Sequence, residues 1–177
     1  NPDRELWGYY TCFDSCGHNC TRLPGPEGNT PSCLTSSCWD DVGFINASLN
    51  YLEKHLCLDL DHVHVTGMSN GAMMTYQVAH SLSERIASII PVEGLPLLGF
   101  ADQAVPTTPM SVLDIHGYAD NIIPANVSNG YLGRPGPYGT SWSSDGFYYV
   151  PLENVSKGWA SVGDCDGPAM PFETALD

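Results

Sequence analysis

The chain has 177 residues, 42% of them apolar and 15% charged, which suits one domain with its own core and excludes a disordered acidic tail. Twenty acidic residues face six basic ones, and a net charge of −14 repels phosphate backbones, so a nucleic-acid partner is not expected. No apolar run approaches the ~18 residues that a membrane-spanning helix needs; no signal peptide is visible, and Asn1-Pro2-Asp3 reads as the start of a processed or truncated chain.

Residues 1–38 are rich in Gly, Pro, Asn and Cys and hold no sustained period. They predict a disulfide-tied loop region with a short strand near 6–10. Five of the seven cysteines lie here: Cys12, Cys16, Cys20, Cys33 and Cys38, with Cys57 and Cys165 apart. The even spacing of Cys12, Cys16 and Cys20 around His18 raises zinc, but zinc modules show two close pairs across a longer spacer. Disulfides in an oxidising compartment are the better reading, and no metal is expected. The odd cysteine is either free or paired with a segment outside these residues. Asn19, Asn46, Asn126 and Asn154 each open an N-x-[ST] acceptor without proline. Asn46 is the weakest of them, since it falls in a helical pattern. Together these features predict a secreted glycoprotein.

At 40–56 the character changes. Val42, Ile45, Leu49, Leu52 and Leu56 recur at steps of three and four, one face of a helix, with Asp40 or Asp41 as its N-cap. Residues 62–66 (HVHVT) predict a strand, 72–82 a helix buried on several sides, and 85–92 and 110–115 two further strands. Strands alternating with helices imply an α/β fold with a mainly parallel sheet. From Pro124 onward the abundance of Gly, Pro, Ser and Tyr predicts long loops. No repeat and no linker appear, so residues 1–177 are read as a single domain.

Between the first strand and the second helix stands GMSNG, residues 67–71. A G-x-S-x-G sequence is common by chance. It carries chemistry when a strand precedes it and a helix follows, because the serine then sits on a sharp turn with its hydroxyl exposed. Both flanks are predicted here, which makes Ser69 a candidate nucleophile. Gly67 and Gly71 lack Cβ atoms, which lets such a turn pack closely. The helix start aims backbone N–H groups at the same spot, and the Asn70 N–H is the candidate oxyanion donor.

DDVGFI at 40–45, HVTGMSNGAMMT at 64–75 and IHGYADNIIP at 115–124 resemble the polyhydroxybutyrate depolymerase family, α/β-hydrolase esterases that include feruloyl and acetylxylan esterases. The resemblance spans about residues 38–124, with a weaker echo at Trp159 and Gly163-Asp164-Cys165. It implies an α/β-hydrolase fold and places the triad acid in the H-G-x-x-D segment, at Asp120. Asp120 follows a predicted strand and comes after the serine, the order Ser…Asp…His of that fold. Asp114 and Asp102 are poorer candidates.

The base is the difficulty. All six histidines, His18, His55, His62, His64, His80 and His116, precede Asp120. The resemblance makes His116 a structural residue of the H-G turn. His62 and His64 share a strand face, which suits packing better than a metal pair, and His55 and His80 sit near helix C-termini. The family's second oxyanion donor, from an H-G motif before the nucleophile, has no counterpart in residues 1–37, nor do the early strands. The fold is therefore read as incomplete, with the imidazole supplied by a further segment or chain. The function expected is a secreted serine ester hydrolase needing no cofactor, its substrate a polyester, an acylated polysaccharide or a small ester. The alternative is a non-catalytic secreted protein that keeps the scaffold. Tyr138, Trp142, Phe147, Tyr148 and Tyr149 are candidates for an acyl pocket or for loop packing.

Overall fold

A computed structural model describes residues 40–96, 105–136, 139–144, 147–165 and 167. The proposed loop region 1–38, with its five cysteines, His18 and Asn19, lies outside the described residues, as do Asp102 and Tyr138. Asp40 caps helix α1 (Asp41–His55), its Oδ1 accepting from the Gly43 N–H at 2.7 Å. Lys54 and His55 occupy the last turn, where positive charge complements the helix dipole. No side chain of α1 is fully buried, and Leu52 and Leu56, expected on its inner face, are exposed. The helix reaches the core through Ile45. Arg85 then ties it down, donating to Asn46, Asn50 and Glu53.

Strand β1 (His64–Met68) starts two residues later than the sequence suggests, because Asp59 caps a 3-10 turn over Leu60–His62. Helix α2 (Asn70–Ser81) follows, then β2 (Ser88–Val92). The chain re-enters the sheet at β3 (Ser111–Val112). Within this sheet the pairing is parallel, in the order β1-β2-β3, with Met68 opposite Val92 and Ile89 opposite Val112. β3 is shorter than the expected 110–115, yet its hydrogen bonding continues: the Ile115 N–H donates to Pro91 O at 3.0 Å and the Glu93 N–H to Ile115 O at 2.8 Å. This small parallel sheet with its helices is an α/β arrangement.

The segment after Pro124 is not all loop. A two-stranded antiparallel hairpin, β4 (Ser141–Trp142) and β5 (Tyr148–Tyr149), leads into helix α3 (Leu152–Val162). Val155 and Trp159 are its buried side, and Trp159 meets Tyr76 of α2 edge-on, ring centroids 6.1 Å apart. The core gathers around α2: Met73, Tyr76, Val78 and Ala79 pack with Ile89, Tyr149 and Trp159. At about 1.5–3 kcal/mol for each large apolar side chain buried, α2 contributes far more to stability than α1. Tyr149 is buried in this core and Tyr148 is buried beside Trp142 of the hairpin, so these aromatics are structural. Among the described residues no helix is long and apolar enough to cross a membrane. Cys57 and Cys165 are exposed thiols, not joined to each other.

Candidate active site

β1 ends in a turn that no ordinary residue adopts freely. Ser69 has φ 56° and ψ −119°, left-handed backbone that costs about 1–3 kcal/mol for a residue with a Cβ. The Ser69 N–H donates to Val92 O at 2.9 Å, which ties the turn to the end of β2. The Ser69 carbonyl accepts from the Ala72 and Met73 N–H groups at 2.9 and 3.2 Å, which starts α2. A serine at a helix N-cap normally accepts a bond from the helix amides through its side chain. Ser69 makes no such bond and is exposed. Asn70 is the first residue of α2, where an amide has no acceptor within the helix.

The glycines around the turn divide the work differently from the sequence reading. A Cβ on Gly67 would lie 2.4 Å from the Gly71 carbonyl, so Gly67 is sterically required. A Cβ on Gly71 would meet nothing within 4 Å; what matters there is the backbone that Gly67 must clear. The second required glycine is Gly94, where a Cβ would come within 2.4 Å of Ser69 O and 2.6 Å of the Ala72 methyl. Its neighbour Glu93 has φ 50°, a further left-handed residue beside the serine.

Asp120 reaches the same place from β3. Its Oδ1 accepts from the Ile122 and Ile123 N–H groups at 2.8 and 3.0 Å, and its own N–H donates to Gly117 O at 3.1 Å, so the carboxylate is held by its own loop. Ser69 and Asp120 line one cleft of about 360 Å³, with Glu93 at its edge and Met68, Ala119, Ile122 and Ile123 giving it apolar walls. The apolar walls therefore come from residues flanking the serine and the acid. Trp142 instead packs against Tyr131, ring centroids 5.2 Å apart, and Tyr148.

None of the described histidines lines the cleft. His62 pairs with Asp59 at 2.8 Å, His64 with Ser88 Oγ at 2.7 Å and His80 with Val105 O at 2.7 Å, while the His55 ring lies on Tyr51. His62 and His64 have separate partners and ring centroids 6.3 Å apart. His116 lies behind Asp120, its Nε2 donating to Ile123 O at 2.7 Å. Burial lowers its pKa, but Asp114, the Ile123 carbonyl and Asp120 outweigh burial, and the net direction is upward. The Tyr76 hydroxyl donates to Asp114; burial first, and that carboxylate second, keep the phenol protonated.

Of the glycosylation candidates, Asn46 lies within α1 with its amide oxygen accepting from Arg85, not on a surface loop. Asn126 caps a 3-10 turn by accepting from the Asn129 N–H at 2.9 Å, and Asn154 is exposed in the first turn of α3.

No protein-family model matches the chain. Over part of its length it is similar to curated esterases. It is 26% identical over 112 residues to a "bifunctional acetylxylan esterase/xylanase" of Neocallimastix patriciarum, a match covering 60% of this chain and 16% of that one. It is 31% identical over 87 residues to a "probable feruloyl esterase C" of Aspergillus clavatus, covering 49% and 31%. It is 29% identical over 91 residues to a "feruloyl esterase D" of Neurospora crassa, covering 51% and 30%. The matches thus span less than a third of each of these relatives. They support an esterase family and, with the parallel sheet, an α/β-hydrolase framework.

Proposed function

We propose that the chain is the nucleophile-and-acid part of a secreted serine ester hydrolase. The observation that carries this reading is Ser69: strained, exposed and not used as a helix cap. A serine placed for structure alone would not be held in a conformation that costs free energy and removes its capping bond. In the proposed reaction Ser69 Oγ attacks the ester carbonyl carbon while an imidazole from outside the described residues takes its proton. Asp120 orients that imidazole and stabilises its charged form. The Asn70 N–H, with the positive end of α2 behind it, donates to the developing oxyanion. Collapse of the tetrahedral intermediate returns the proton to the leaving alcohol and leaves an acyl group on Ser69, which water then removes.

The apolar walls suit an acyl or aroyl group, and the names of the relatives point to feruloylated or acetylated polysaccharide; a polyester or a small ester fits the same chemistry. Secretion, N-glycans on Asn19, Asn126 and Asn154, and disulfides in residues 1–38 belong to the same proposal, as does a single hydrolase domain. A scaffold without catalysis is the competing reading, favoured by the lack of an imidazole among the described residues of the cleft. Turnover of p-nitrophenyl acetate and of feruloylated or acetylated xylan by the native full-length protein, at rates well above a Ser69→Ala control, supports the hydrolase. Equal rates for the two proteins establish the scaffold.

A further inference from the structure

Behind the proposed acid lies a polar group that ester hydrolysis does not itself use. The His116 side chain is 2% exposed. Its Nε2 is 2.7 Å from Ile123 O, and a carbonyl oxygen only accepts, so Nε2 carries a proton. The same nitrogen is 3.7 Å from Asp120 Oδ2. On the other side of the ring, Nδ1 is 3.8 Å from Asp114 Oδ1, and both of these atoms are buried without a hydrogen-bond partner. With a neutral ring, the Nδ1 lone pair would face a carboxylate oxygen in a buried place, two acceptors with nothing between them. A second proton, on Nδ1, puts a cation in place of that lone pair, at ion-pair distance from the Asp114 carboxylate.

The surroundings select for that proton. Asp114 is fixed from below by the Tyr76 hydroxyl of α2, and Tyr76 stays neutral. Asp120 faces the ring from its own loop. Glu93, at the end of β2, comes within 3.6 Å of where a Cβ on Gly117 would lie. Every ionised group here is acidic and favours a cation between them. We infer that His116 is a buried imidazolium bridging Asp114 and Asp120, and that it is the positioning residue which holds the Asp120 loop beside the Ser69 elbow. The upward direction of its pKa agrees with this geometry. The relevance to catalysis rests on Asp120 being the acid; the charge and the holding of the loop do not.

The test combines imidazole ¹⁵N shifts, assigned with His116→Gln, and amide exchange at Ile122 and Ile123, whose N–H groups report whether the Asp120 carboxylate is in place. In the wild type at pH 7 both His116 nitrogens are expected to be protonated. Asp114→Asn removes the carboxylate and can offer an N–H to Nδ1. His116 in that variant is expected to be neutral at the same pH, with Ile122 and Ile123 exchanging about fivefold faster or more. A neutral His116 in the wild type overturns the inference by itself, even where Asp114→Asn does not fold. A His116 that becomes neutral in a folded Asp114→Asn while exchange at Ile122 and Ile123 stays unchanged overturns the positioning role. Neither readout uses turnover, so an inactive wild type would contradict the hydrolase reading and leave this result standing.

Discussion

Ser69 is where the chain accepts strain, and the strain is testable without any substrate. A glycine at φ 56° relieves it, whereas an alanine keeps it. Ser69→Gly is therefore expected to be more stable than Ser69→Ala by about 1 kcal/mol, read as a melting temperature roughly 2–4 °C higher. Equal stabilities would mean that the backbone at 69 is relaxed. The neighbouring glycines separate in the same way. Gly67→Ala drives a methyl into the Gly71 backbone and is expected to cost about 1–3 kcal/mol. Gly71→Ala meets open space and is expected to be nearly neutral on chemical denaturation. The sequence motif treats these two glycines alike; only the turn's coordinates distinguish them.

At the scale of elements, the 116–123 loop carries a pH dependence whose sign follows from His116. Burial alone would lower its pKa, but Asp114, the Ile123 carbonyl and Asp120 raise it overall. A folded-state value above the unfolded one means that folding favours the proton. The contribution is then present in full below the ordinary imidazole value of about 6.5, and it is lost as pH rises through the raised folded value. The stability advantage of wild type over His116→Gln is expected to shrink as pH rises from 6 to 9, measured by thermal melting. An advantage that grows over that range contradicts the assignment. Helix α3 carries the second element-scale prediction. Trp159 is buried against Tyr76, and Trp159→Ala is expected to cost about 3–5 kcal/mol; a loss below about 1 kcal/mol would show that α3 does not complete the core.

Across the whole molecule, what the sequence reveals is what local pattern encodes. α1, β1, the elbow and α2 are legible because a capping aspartate, a β-branched run and an apolar helix stand next to one another in the chain. Asp120 is legible through its H-G-x-x-D segment, which happens to be contiguous. Glu93 and Gly94 are not, because they reach Ser69 only through the parallel register that sets Met68 beside Val92. α3 escapes the reading because Gly158 interrupts it in a Gly- and Pro-rich region, although Leu152, Val155, Trp159 and Val162 hold helical spacing. The cleft's apolar walls are invisible for a related reason: Met68 and Ile122 read as ordinary strand and loop residues until the fold brings them together. The proposed triad joins Ser69 to Asp120 and to an imidazole contributed from elsewhere. Its most direct test is labelling of the native, disulfide-bonded full-length protein with a fluorophosphonate, followed by peptide mapping. A single adduct on Ser69 is expected, lost in Ser69→Ala and slowed about 10²-fold or more in Asp120→Asn; a native protein that takes no label at Ser69 contradicts the triad.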